Sequence, residues 1–137
     1  MVQLRNSAVL ETPVTIPAPG ADIEFDTLIH QTNTCIWFTG SGLELPTPGM
    51  YNTICAVVLQ NGGTTESTVS LELTANGEYV PGAVVTGTTE PGQQTTLVLP
   101  WAVRVNQGTD GLARIGWRLV GDECDLCNAF AQAWRMV

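Results

Sequence analysis

Strict two-residue alternation over long stretches restricts the fold of this chain more than any other feature. Leu97, Leu99, Trp101, Val103 and Val105 are apolar at every second position. Ala113, Ile115, Trp117 and Leu119 repeat the pattern, with Arg114 and Arg118 between them. Successive side chains point to opposite faces only in an extended strand, so each run lays one apolar face on a core. Val69-Ser70-Leu71-Glu72-Leu73-Thr74-Ala75 alternates in the same way and then meets Asn76-Gly77. An Asn-Gly pair between alternating runs predicts a tight hairpin turn, because both central residues of that turn take positive φ. Glu78 to Thr86 is then the return strand.

Shorter runs fill the rest of the chain. Ile23 to Leu28 places Ile23 and Phe25 on one face, and Thr34 to Thr39 carries Ile36, Trp37 and Phe38. Leu43 to Leu45, Met50 to Leu59 and Ala129 to Val137 read as further strands. In the last of these, Phe130, Trp134 and Met136 share a face with Gln132, while Ala129, Ala131 and Ala133 line the other. Fourteen glycines and eight prolines punctuate these runs. The reading is an all-β sandwich of about eight to ten antiparallel strands, spaced roughly 8–14 residues apart. Pro100 predicts a sheet edge or a bulge, since proline donates no ladder hydrogen bond. A closing strand as apolar as Ala129–Val137 belongs at the centre of its sheet, because an exposed edge of that kind aggregates. Pro13, Pro17 and Pro19 make residues 1–22 an extended leader, with residues 23–137 forming the single domain.

Charge narrows the partners. Thirteen acids face five bases, all of them arginine, for a net charge of −8. Such a chain repels phosphates and anionic head groups, which argues against nucleic acid and membrane surfaces. No apolar run approaches the roughly 18–20 residues of a membrane span. The first residues, Met1 to Asn6, lack the charged-then-apolar pattern of a secretory signal, so the expectation is cytoplasmic synthesis without standard export.

Three stretches carry a family resemblance. Gly42-Leu43-Glu44-Leu45-Pro46-Thr47-Pro48-Gly49-Met50-Tyr51 resembles the "strand, Pro-x-Pro-Gly-x-Tyr, strand" passage of complement one-q globular heads and their tumour-necrosis-factor-like relatives. Val69 to Gly82 is similar to the central hairpin of bacterial and phage members, and Ala129 to Val137 to their closing strand. The resemblance implies a ten-stranded jelly roll packed as a tight trimer around a three-fold axis. It places Tyr51, Phe130 and Trp134 in the core or near that axis. Trp37, beside Ile36 and Phe38, is a further candidate for the subunit interface, since contiguous apolar patches are rare on the surface of monomers.

Gly121-Asp122-Glu123-Cys124-Asp125-Leu126-Cys127-Asn128 matches nothing in the family and reads as an acidic, cysteine-rich loop. Cys124 and Cys127 could join Cys35 and Cys55 in a structural zinc site, a disulfide could link two of the four, or all could be packed thiols. Asp122, Glu123 and Asp125 offer oxygen ligands for calcium, without the spacing of an EF-hand loop. Packed thiols and a solvated loop are the default readings, so no cofactor is expected. His30 is the only histidine, and Ser41 in Thr39-Gly40-Ser41-Gly42 lacks the setting of a nucleophile elbow. No catalytic group stands out, and the chain reads as a non-enzymatic module.

The resemblance, with no export signal, implies a phage or prophage virion protein, structural or of the fibre-head attachment type. It would be released by lysis and would bind through loops at one end of a rigid scaffold. Its partners would be its own copies, other virion proteins, or a host-surface receptor or glycan. Capsid decoration is the alternative, and a small glycan-active enzyme a third. The loops singled out are Asn61–Glu66, Gly87–Gly92, Asn106–Gly111 and the cysteine-rich segment.

Overall fold

The structure, a computed structural model, describes residues 5–10, 13–31, 37–38, 42–45, 49–106 and 113–135. Among these the chain forms strands and no helix. The strands are β1 (Arg5–Leu10), β2 (Val14–Ile16), β3 (Gly20–Asp22), β4 (Thr27–Gln31), β5 (Trp37–Phe38) and β6 (Gly42–Leu45). They continue with β7 (Gly49–Gln60), β8 (Ser67–Ala75), β9 (Glu78–Thr89), β10 (Gln94–Val105), β11 (Ala113–Gly121) and β12 (Cys124–Arg135). One sheet runs β10-β7-β12-β1-β4 with β2 also on β12; the other runs β5-β6-β11-β8-β9 with β3 also on β11. All pairings are antiparallel.

The alternating runs fill the space between the sheets. Leu97, Leu99, Val103 and Val105 face inward from β10, Tyr51, Cys55, Val57 and Leu59 from β7, and Ile115, Trp117 and Leu119 from β11. Trp117 is 1% exposed and meets the Phe25 ring edge to face, with centroids 6.1 Å apart and planes at 88°. Its indole Nε1 is buried without a hydrogen-bond partner among the described residues. Trp101 departs from its run: it is only partly buried, because β10 is an edge strand and its ring closes over Gly82 of β9. That edge position is also where Pro100 does no harm to the ladder. Asn76 and Gly77 take φ of 52° and 84°, as the hairpin turn requires.

Two readings change. The described residues of the expected leader, 5–10 and 13–22, carry strands of the fold: β1 pairs with β12 and β4, β2 with β12, and β3 with β11, so they enter both sheets. The prolines there sit between short strands rather than inside them. The cysteine-rich segment is not a loop either, because β12 begins at Cys124, leaving only Asp122 and Glu123 as the turn. The ladder to β7 slips by one residue between Leu126 and Asn128. Cys124 and Leu126 therefore face inward in one phase, and Ala129, Ala131 and Ala133 in the other.

Candidate functional site

Two surfaces stand out: the outward face of the first sheet and the loop end above it. β12 is central in its sheet, flanked by β7 and β1, as its composition predicts. Its alanines face the core, which turns Phe130, Gln132 and Trp134 outward, each half-buried. Trp134 thus differs from Trp117: it shares a register with apolar residues, but on the outside of the sandwich. Tyr51 points the other way and is fully buried in the core.

Ladder register gives the outward face its pattern. One row across β10, β7 and β12 reads Val98, Ala56, Phe130; the next reads Pro100, Ile54, Gln132. A third reads Ala102, Asn52, Trp134. Val98 is 45% exposed although apolar, and the surface turns the β10 edge onto β9, where Tyr79 and Val84 are 37% and 38% exposed. An apolar band spanning several strands is more than the scattered apolar residues normal on a monomer's surface. Trp37 lies in β5 of the other sheet, where it pairs in register with Glu44.

The loop end is built around Asn61. This residue is 3% exposed, and its Nδ2 donates to the carbonyls of Thr65 (2.7 Å) and Thr89 (2.9 Å). Its Oδ1 accepts from the Gly63 N–H at 2.9 Å. Its backbone N–H donates to Gln93 O, and its carbonyl accepts from Gly92 N–H. One side chain therefore fixes the β7–β8 loop against the β9–β10 turn. Asn61→Ala is expected to cost about 1–3 kcal/mol, since buried backbone groups lose their partners, read as a lower midpoint in urea.

The β11–β12 turn joins this end through Asp122, which exchanges two bonds with Thr68: Thr68 N–H to Oδ2 (2.9 Å) and Asp122 N–H to Thr68 O (3.1 Å). Asp125 accepts from Thr15 Oγ1 at 2.9 Å. Between them lies an open cleft of about 490 Å³, walled by Gly62, Thr65, Glu66, Asp122 and Glu123. The loops singled out from sequence do not all meet here. Asn76 Nδ2 donates to Asn106 O, which anchors the start of the Asn106–Gly111 loop beside the Asn76-Gly77 turn at the opposite end. The remainder of that loop lies outside the described residues, as do Cys35 and Ser41.

Charge at the loop end is one-sided. Ser67 and Thr89 pair across the β8–β9 ladder, so Glu66 and Glu90 flank its last rung. Their side chains hydrogen-bond, and this contact, reinforced by Coulomb repulsion, raises the Glu66 carboxyl above its ordinary value of 4.5. The two carboxyls touch, which favours the protonated form of Glu66. They are too close to flank a glycosidic bond, which needs carboxyls about 5–9.5 Å apart. Because the folded value of Glu66 is raised, the contribution of this contact is complete below about pH 4.5 and is lost as pH rises through the raised value. Protection against hydrogen exchange in residues 61–66, taken relative to the intrinsic exchange rate at each pH, is therefore expected to fall from pH 4 toward neutrality, and Glu66→Gln to remove that fall.

The cysteines divide. Cys55 is fully buried and its thiol is pushed far up by burial. Cys124 is pushed up to about 11, by burial first and then by Asp125, Glu123 and Cys127. Cys127 is half-buried at the bulge, 3.9 Å from Gln60 Oε1. Cys55 stands five residues along β7 from Gln60, about 16 Å at the rise of a strand, so it forms no zinc site with Cys127. Three residues of strand separate Cys124 from Cys127 by about 10 Å, too far for a disulfide. Among the described residues no three His, Cys, Asp or Glu side chains converge as a metal site, and no helix is long and apolar enough to cross a membrane.

Neither the known protein families nor the curated proteins contain a match to this sequence. Solved structures do match its fold. The globular domain of zebrafish complement 1qA aligns over 99% of this chain and 98% of that one, at TM-score 0.60 and 9% identity. Murine APRIL at pH 8.0 aligns over 98% and 100%, at TM-score 0.68 and 10% identity. Eiger TNF from S. frugiperda aligns over 99% and 92%, at TM-score 0.66 and 11% identity. At these identities the likeness concerns the fold, which is a jelly roll of the complement-C1q and TNF kind.

Proposed function

Starting from a jelly roll of that kind, we propose that this chain is a non-enzymatic binding module that works as a homotrimer in a phage or prophage virion, as an attachment or structural protein. The observation that carries the assembly is the outward apolar row Val98, Ala56 and Phe130 across β10, β7 and β12, with Tyr79 and Val84 exposed on the adjoining β9. A two-fold dimer covers one patch with its own copy, whereas a ring needs two different patches on each subunit. The broad face and the β9–β10 edge are such a pair, and three copies is the number implied by the family resemblance. The likeness of Val69–Gly82 to phage and bacterial members supports the virion setting.

The loop end is the binding surface. It is rigidly held by Asn61 and Asp122, it carries an open cleft, and three copies side by side multiply a weak contact into a strong one. The test is co-sedimentation of the purified protein with a panel of bacterial cells and with purified phage capsids. Retention by cells, lost on Glu123→Arg with Thr65→Trp, is the expected result. Retention by capsids alone makes it a decoration protein, and retention by neither contradicts the attachment reading.

A further inference from the structure

We infer that a small cleft on the outward face of the β5-β6-β11-β8-β9 sheet binds a single neutral sugar ring, at a site separate from both the loop end and the assembly face. Ile115 and Trp117 of β11 point into the core, which turns Arg114, Gly116 and Arg118 outward. Register sets Gly42 of β6 and Thr74 of β8 on either side of Gly116. Two of the three residues in this row have no side chain. Gly42 is held to glycine by its neighbour, since a Cβ there would lie 2.3 Å from the Ile115 carbonyl oxygen. Gly116 stands mid-strand, where glycine weakens a sheet and marks a place that another group approaches closely. The row is therefore a bare floor with Arg114 and Arg118 on either side of it. Asp22, opposite Arg118 in the β3–β11 ladder, closes one corner. The cleft holds about 190 Å³, the space of roughly six waters at ~30 Å³ each, which suits one ring and not a chain.

Thr74 is the residue that points to a ligand. It is 6% exposed, yet its hydroxyl has no hydrogen-bond partner among the described residues. Among these the Trp117 indole is the one sealed side-chain nitrogen or oxygen without a partner, so the Thr74 oxygen opens onto the cleft that Thr74 lines. A hydroxyl so enclosed favours a group that can donate to it and accept from it. Arg118 supplies further donors. Glu72 accepts from its Nε–H at 3.2 Å, and no hydrogen bond takes its terminal N–H groups among the described residues. Asp22 supplies acceptors. Donors, acceptors and a two-way hydroxyl around a bare floor match the adjacent hydroxyls of a sugar, each of which donates and accepts. Charge selects against an anion. Asp22, Glu44 and Glu72 face Arg114 and Arg118, with the Arg114–Glu44 pair at 3.5 Å, so the surroundings carry one negative charge in excess.

The test titrates the isotope-labelled full chain with the methyl glycosides of glucose, galactose and mannose to tens of millimolar, in parallel with sodium phosphate, and follows amide shifts by NMR. Millimolar affinity is expected of one ring in an open cleft. At least one glycoside is expected to shift the amides of Thr74, Gly116 and Arg118 saturably, while phosphate leaves them in place. Thr74→Val keeps the side chain's shape without its hydroxyl and is expected to weaken that binding about five- to tenfold. Arg118→Gln is expected to abolish it, with circular dichroism establishing that each variant folds. Asp22→Asn, at an exposed position, is expected to weaken binding by a similar factor and serves where another variant does not fold. No saturable shift of these amides with any of the three sugars overturns the inference. Undiminished sugar binding in the folded variants overturns it equally, and so does a response to phosphate in place of sugar.

Discussion

Trp117→Ala is expected to cost about 3–5 kcal/mol, the range for removing a large buried aromatic. That is a large share of the roughly 5–15 kcal/mol that holds a domain of this size together. The site cannot collapse to fill the space. Trp117 comes from the middle of β11, which is laddered to β8 along one side and to β3 and β6 along the other, so its backbone is pinned. Its edge-to-face partner Phe25 would be left with a void on one side. Trp117→Phe separates the two contributions. It retains an aromatic ring and removes the buried indole N–H that has no partner among the described residues, so its cost should stay below about 2 kcal/mol. Urea midpoints of the three proteins, compared at constant m-value, check both figures. Equal losses for alanine and phenylalanine would show that ring packing is not what the core draws from this residue.

The second large effect concerns assembly rather than folding. Phe130→Glu combined with Trp134→Glu is expected to convert the proposed trimer to a folded monomer. Both side chains leave β12 on the outward face, and the inward residues Ala129, Ala131 and Ala133 are untouched. The monomer should survive alone, since its accessible surface of 6830 Å² matches the roughly 6,900 Å² expected for a compact chain of this mass. Six new carboxylates brought together there repel one another, and the contact loses its largest apolar side chains. Far-ultraviolet circular dichroism should be unchanged while the scattering mass falls to one-third. A trimeric double variant would place the interface elsewhere.

The sequence carried the architecture because the two-residue period speaks directly about faces. The hairpin at Asn76-Gly77, the edge position of β10 and the central position of β12 all followed from local chemistry. What it hid has specific causes. The bulge at Cys127 shifts the inward phase by one residue, so Cys124 and Leu126 do not fall in line with Ala129 and Ala131, and half of a long strand reads as a loop. The strands β2 and β3 are three residues each, too short for alternation to register among prolines. The outward direction of Trp134 was present in the sequence as the alanine face opposite it. The role of Asn61 was legible only as a turn signal. Its buried, fully partnered amide depends on the β9–β10 turn, thirty residues away in the chain.

The most direct test of the account is the mass of the wild-type protein in solution, by light scattering, with and without reductant and chelator. The account requires about three times 14.6 kDa, unchanged by either reagent, because an apolar sheet face and not a thiol or a metal joins the copies. A mass of 14.6 kDa across the accessible concentration range would contradict it, and dissociation by the chelator alone would move the joint from the sheet face to the acidic loop end.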